Sequence, residues 1–123
     1  MGSATNRPDQ HRRYDAEYKL NDAEGIRILL RDYDKLFQRR FEGDTAASDI
    51  LLDLEDAIDA AELTALQSEA IRLIYMEDLT QQMAAERLGI ERSVVSKHLT
   101  AGVNKIVKIY AYWANRGEGY CAS

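Results

Sequence analysis

Between Thr80 and Ala101 the chain reads TQQMAAERLGIERSVVSKHLTA, and one glycine, Gly89, separates two short stretches of helical spacing. Two helices joined by so brief a turn must cross closely, so a small residue is needed at the crossing. Ala85 supplies it. Four residues later the chain has to reverse through a positive φ, which suits glycine and few other residues. Ile90 then plugs the space beneath the turn, and Val95 and Leu99, four apart, share the inward face of the second helix. Ala84 and Leu88 complete a small core. The opposite face carries Arg92, Ser93, Val94, Ser96, Lys97 and Thr100. These side chains can bond base edges and phosphates, with Val94 able to touch a thymine methyl. The pattern predicts a helix-turn-helix whose second helix, 91–101, meets double-stranded DNA. A plain helical hairpin is the duller alternative.

The remainder of the chain is also helical in pattern, and the expected class is all-α: a helical bundle with an N-terminal helical pair and the C-terminal helix-turn-helix. Strand signals are nearly absent, and the only proline is Pro8. Residues 21–42 read as one helix, with Asn21 as N-cap and Glu24 three later. Its stripe is Ile26, Leu29, Leu30, Tyr33, Leu36, Phe37 and Phe41, and Gly43 ends it. A second helix runs from Asp44 or Thr45 to about Ala61, with Ile50, Leu51, Leu54, Ala57, Ile58 and Ala61 inward and Asp49, Asp53, Glu55, Asp56 and Asp59 outward. A third begins at Thr64, where Gln67 completes a capping box, with Leu66, Ala70, Leu73 and Ile74 as its inner face. A fourth begins at Thr80, with Met83, Ala84 and Leu88 apolar. The fifth continues from about Glu91 to Asn115. The expected organisation is a flexible segment over 1–20, a helical pair over 21–62 for packing or oligomerisation, a DNA-binding domain over 63–115, and a tail over 116–123.

A net charge of −5 over 123 residues at first argues against nucleic acid. Its distribution points the other way: residues 1–43 sum to +1, residues 44–79 to −9 and residues 80–123 to +3. Affinity for phosphate depends on where the cations sit, not on the total. The acidic middle is either a solvated helix face or a contact surface for RNA polymerase. No apolar run approaches the ~20 residues of a membrane span, and the first residues do not read as a secretory signal. The lone Cys121 has no companion for a disulfide or a metal, so a reducing, cytoplasmic setting is expected. No cofactor, metal site or catalytic constellation is expected.

The stretch from Leu63 to Ile109 resembles region four of bacterial sigma factors, through Leu63, Thr64, Leu73, Tyr75, Glu77, Leu79, Thr80 and the VVSKHL segment of the second motif helix. The whole layout is similar to small sigma-like regulators of phages and prophages of Gram-positive bacteria. No sigma region two is placed in residues 1–60. The resemblance implies a transcription regulator in a bacterial host cell that binds promoter or operator DNA and contacts RNA polymerase. Two other readings stay open: a small-terminase-like DNA-packaging protein, and a regulator that binds polymerase or a sigma factor.

Within the motif, Arg92 and Lys97 are the leading contacts. Arg92 is placed either to take guanine O6 and N7 in two parallel bonds or to hold phosphate. Gln81 and Gln82 open the first motif helix, which crosses the DNA backbone in this class and attracts phosphate through its N–H groups. Thr80 is expected as its cap. His98 reads as a packing residue or a phosphate contact. Leu99, Val103, Ile106, Tyr110 and Trp113 follow 4-3-4-3 spacing, an apolar seam of two heptads. It serves either the N-terminal helices of the same chain or a homodimer, which would read two half-sites about 34–36 Å apart. Leu29, Tyr33, Leu36 and Phe37 form the alternative dimer surface.

Overall fold

The structure is a computed structural model and describes residues 22–116. The expected flexible segment, the Asn21 cap and nearly all of the expected tail therefore lie outside the described residues. Within them the chain is all-α, with no strand. The helices are α1 (Ala23–Arg31), α2 (Tyr33–Phe41), α3 (Thr45–Ala61), α4 (Ala65–Ile71), α5 (Gln81–Leu88) and α6 (Arg92–Arg116). A single π-helical turn, Arg72–Met76, extends α4.

Local chemistry sets the ends. Asp22, rather than the expected Asn21, is the N-cap of α1: its carboxylate accepts from the Glu24 N–H, so Glu24 lies two residues after the cap and not three. Asp44 caps α3 by accepting from the Ala47 N–H at 3.1 Å. At Thr64 the capping box forms in full: the hydroxyl accepts from the Gln67 N–H, and the Gln67 carboxamide oxygen accepts from the Thr64 N–H. Gly43, at φ 99°, ends α2 as expected; its N–H reaches Arg40 O and the next N–H, of Asp44, reaches Arg39 O. That pair of bonds satisfies carbonyls that a helix end otherwise leaves open.

The single helix expected over 21–42 is instead two, bent at Asp32 (φ −89°, ψ 7°). The backbone ladder nearly survives the bend, since Asp32 N–H still reaches Ile28 O and Leu36 N–H reaches Asp32 O. The two halves bury against different partners, α1 against α6 and the π turn and α2 chiefly against α3, and no straight helix serves both. The predicted stripe divides accordingly. Ile26, Leu29, Leu30 and Leu36 are wholly buried, while Phe37 is 47% and Phe41 83% exposed. Leu66, expected inward, is 38% exposed, and the apolar Met83 of α5 is 50% exposed. The buried positions of these helices are Gln67, Ala70 and Ile71 on α4 and Ala84 and Ala85 on α5.

Helix α6 is the spine. It packs against α1, α3, α4 and α5, and its seam residues Leu99, Val103, Ile106 and Tyr110 are buried, with Trp113 partly so. Of the two uses open to this seam, the structure takes the intramolecular one. Tyr110 and Trp113 meet edge-to-face with ring centroids 5.3 Å apart. The second expected dimer surface is likewise spent in part, because Leu29 and Leu36 lie inside. One continuous core runs from Ile26 to Tyr110. Each fully buried Leu or Ile in it contributes roughly 1.5–3 kcal/mol.

The acidic face of α3 is partly engaged within the chain. Glu55 accepts from the Tyr33 hydroxyl at 3.1 Å and pairs with Arg40 at 3.6 Å. Burial, with the nearby Glu55 carboxylate and its hydrogen bond, raises the Tyr33 pKa above its ordinary value. Asp49 and Asp53 also have interaction partners.

Candidate nucleic-acid interface

Helix α5 starts where Thr80 accepts from the Met83 N–H at 3.1 Å, as its expected capping role requires. It ends at Gly89, whose φ of 70° is left-handed. The Gly89 N–H reaches Glu86 O at 3.3 Å and the Ile90 N–H reaches Ala85 O at 3.1 Å. Turn geometry is thus the one read from the sequence, with the same two-bond ending as at Gly43. Ala84, Ala85, Val95 and Leu99 are buried and Leu88 and Ile90 are partly buried, which assembles the predicted motif core at the crossing of α5 and α6. The carbonyl of Glu91 accepts from Val94 and Val95 and closes the first turn of α6.

The outward side of α6 presents Arg92, Ser93, Lys97 and Thr100 as exposed residues, with Val94, Ser96 and His98 half-buried. Positions 93, 97 and 100 repeat at helical spacing, so they line one face. A cleft lined by Thr80, Gln81, Gln82 and Arg92 joins the start of α5 to the start of α6. Gln81 and Gln82, chosen from one helix, and Arg92, chosen from the other, are thereby brought together. Gln82 also reaches toward Glu86 one turn on, at a long 3.5 Å.

Ahead of the motif, the segment between α4 and α5 is tied down. Arg72 bonds Glu69 one turn back and Glu77 beyond the π turn, and Arg87 of α5 lies 4.0 Å from Glu77. The hydrogen bonds from Arg72 hold the Glu69 carboxyl below its usual pKa, and the two glutamates raise that of Arg72. Leu79 N–H reaches Leu73 O, and Asp78 takes a positive φ of 60°.

Residues 60–108 match the family model of sigma-70, region 4. This segment is a sigma region-four-like helix-turn-helix. The match starts at the last turn of α3 and extends well into α6, close to the span from Leu63 to Ile109 that carries the resemblance in the sequence. Helices α1 and α2 and most of α3 lie outside it. No curated protein and no solved structure matches the chain. The region-four motif makes the chain a DNA-binding helix-turn-helix protein in general terms. Among the described residues no cluster of His, Cys, Asp and Glu could hold a metal, and no helix is long and apolar enough to cross a membrane.

Sequence reasoning missed two features, one reaching the region-four segment from outside and one within it. Arg27 of α1 donates to the Tyr75 hydroxyl at 3.1 Å and to the Thr100 hydroxyl of α6 at 3.4 Å. Gly102 of α6 is buried against α4. The first has only a faint trace in the sequence, the four-residue spacing of Arg27, Arg31, Lys35 and Arg39. The second has none, because a mid-helix glycine carries no sign of what lies opposite it.

Proposed function

We propose that the chain is a sequence-specific double-stranded DNA-binding transcription regulator of sigma-like type, meeting promoter or operator DNA through residues 91–101. The observation that carries this reading is the outward face of α6: Arg92, Ser93, Lys97 and Thr100 stand exposed directly after the Gly89 turn, within the region-four match. Arg92, Ser96 and Lys97 are the base-reading candidates, and Val94 the thymine contact. Gln81 and Gln82, sharing a cleft with Arg92, hold the phosphate backbone and set the register. The protein acts in the cytoplasm of a bacterial host, without catalysis of its own, and contact with RNA polymerase belongs to the same reading.

A homodimer would draw on the expected α1–α2 surface, where Phe37 is exposed and Tyr33 half-buried, rather than on the α6 seam, which is consumed inside the chain. The same burial weighs against the packaging alternative, which needs a broad oligomerisation surface. Selection of bound sequences from a random duplex pool tests the proposal. Enrichment of a defined site supports it, and no enrichment by a folded protein moves the reading to a protein-binding regulator.

A further inference from the structure

We infer that Arg27 of α1, outside the region-four segment, belongs to the DNA-binding surface and grips a backbone phosphate beside the C-terminal end of the recognition face. The inference rests on the DNA-binding reading above. Three observations carry it. First, the Arg27 guanidinium lies 3.4 Å from the hydroxyl of Thr100, and Thr100 is an exposed residue on the outward side of α6, one turn beyond Ser96 and Lys97. Second, the guanidinium is held rather than free to wander. Its second anchor is the hydroxyl of buried Tyr75, at 3.1 Å. A side chain already fixed loses little further entropy on gripping a ligand. Third, these two bonds use two of the five N–H donors of a guanidinium, leaving others for a phosphate oxygen.

Arg31, one turn on, continues the cationic edge. It is exposed and lies over the ring of the same Tyr75, with its guanidinium carbon 6.0 Å from the ring centre. Tyr75 therefore acts as a shared post for two arginines delivered by a helix that the region-four match does not cover. This gives the N-terminal helices a role in DNA affinity besides their packing against α6.

The test is the salt dependence of binding by the full chain to a fluorescein-labelled duplex of random sequence. Each phosphate neutralised by a cation contributes roughly 0.9 to the slope of log affinity against log salt. R27Q keeps a polar group able to bond Tyr75 or Thr100 but removes the charge, so its slope should fall by about 0.9. R27K keeps the charge but not the double anchor, so its slope should match the parent. Thermal melting of both variants shows that the fold is kept. A parental slope in R27Q, or equal losses in R27Q and R27K, overturns the inference while leaving the DNA-binding reading intact. A parent chain that binds no duplex at all overturns that reading and this one with it.

Discussion

A β-carbon on Gly102 would lie 2.9 Å from the Cδ1 of Ile71 and 3.4 Å from the Cβ of Gln67. Helices α4 and α6 approach this closely because Gly102 has no side chain. Alanine there gains about 1 kcal/mol of helix propensity and loses a comparable amount by displacing a buried isoleucine methyl. Gly102→Ala should therefore unfold in urea within about 1 kcal/mol of the parent. Ile71→Val deletes the obstructing carbon. Alone it should cost roughly 0.5–1.5 kcal/mol, and in the Gly102→Ala background less. Additive effects in the double variant would show that the two residues do not compete for the same space.

Gly89 is a different kind of glycine. Its φ is 70°, and nothing lies within 4 Å of where a β-carbon would sit. Substitution should cost backbone strain alone, about 1–2 kcal/mol for alanine. Asparagine should cost less and valine more, because asparagine tolerates the left-handed region and β-branched residues do not. Denaturation midpoints in the order Gly, Asn, Ala, Val would bear this out; a valine variant as stable as the parent would contradict the turn.

Arg92 and Lys97 are exposed and take no part in the buried core. Arg92→Ala with Lys97→Ala should leave melting within about 0.5 kcal/mol of the parent while abolishing preference for a selected duplex. Retention of that preference would remove these residues from the base-reading role.

The seam on α6 yields a prediction about mass. Ile106 is wholly buried within its own chain, so Ile106→Ala should cost about 2–5 kcal/mol. The melting midpoint of both parent and variant should not depend on protein concentration. A midpoint that rises with concentration would show association coupled to folding and overturn this expectation.

Acid should loosen the approach to the motif. The bonds from Arg72 lower the Glu69 pKa below its ordinary 4.5. A carboxyl with a depressed folded-state pKa stabilises fully above its unfolded value and loses that contribution as pH falls through the folded one. The difference in melting temperature between the parent and Glu69→Gln should thus be constant near neutrality and shrink below pH 4.5. A difference that persists unchanged at the acid end would show that the ion pair contributes nothing there.

Local signals were the ones that could be read from the chain alone. The Thr64 capping box, the Thr80 cap, the Gly43 ending, the Gly89 turn and the burial of Ala85, Val95 and Leu99 all depend on residues within a few positions of one another. Their stereochemistry is written in adjacent side chains. The exposed face of α6 was legible for the same reason, since helical spacing alone fixes which residues share a side.

What the tertiary structure decided was the partner of each face. The bend at Asp32 exists because α1 and α2 bury against different helices, and no residue near Asp32 announces it. The seam from Leu99 to Trp113 suited a neighbour in the same chain as well as one in another; only the assembled core showed α1, α3 and α4 occupying it. Arg27, 73 residues before Thr100, reaches the recognition face only once α1 has packed on α6. The sequence by itself determined the helical class, the ends marked by the Thr64 and Thr80 caps and the Gly43 and Gly89 turns, and the apolar side of most helices, because those choices are governed by short-range sterics and hydrogen bonds. Which apolar sides meet, and which charges they carry to the same place, depended on filling one common core from all six helices at once.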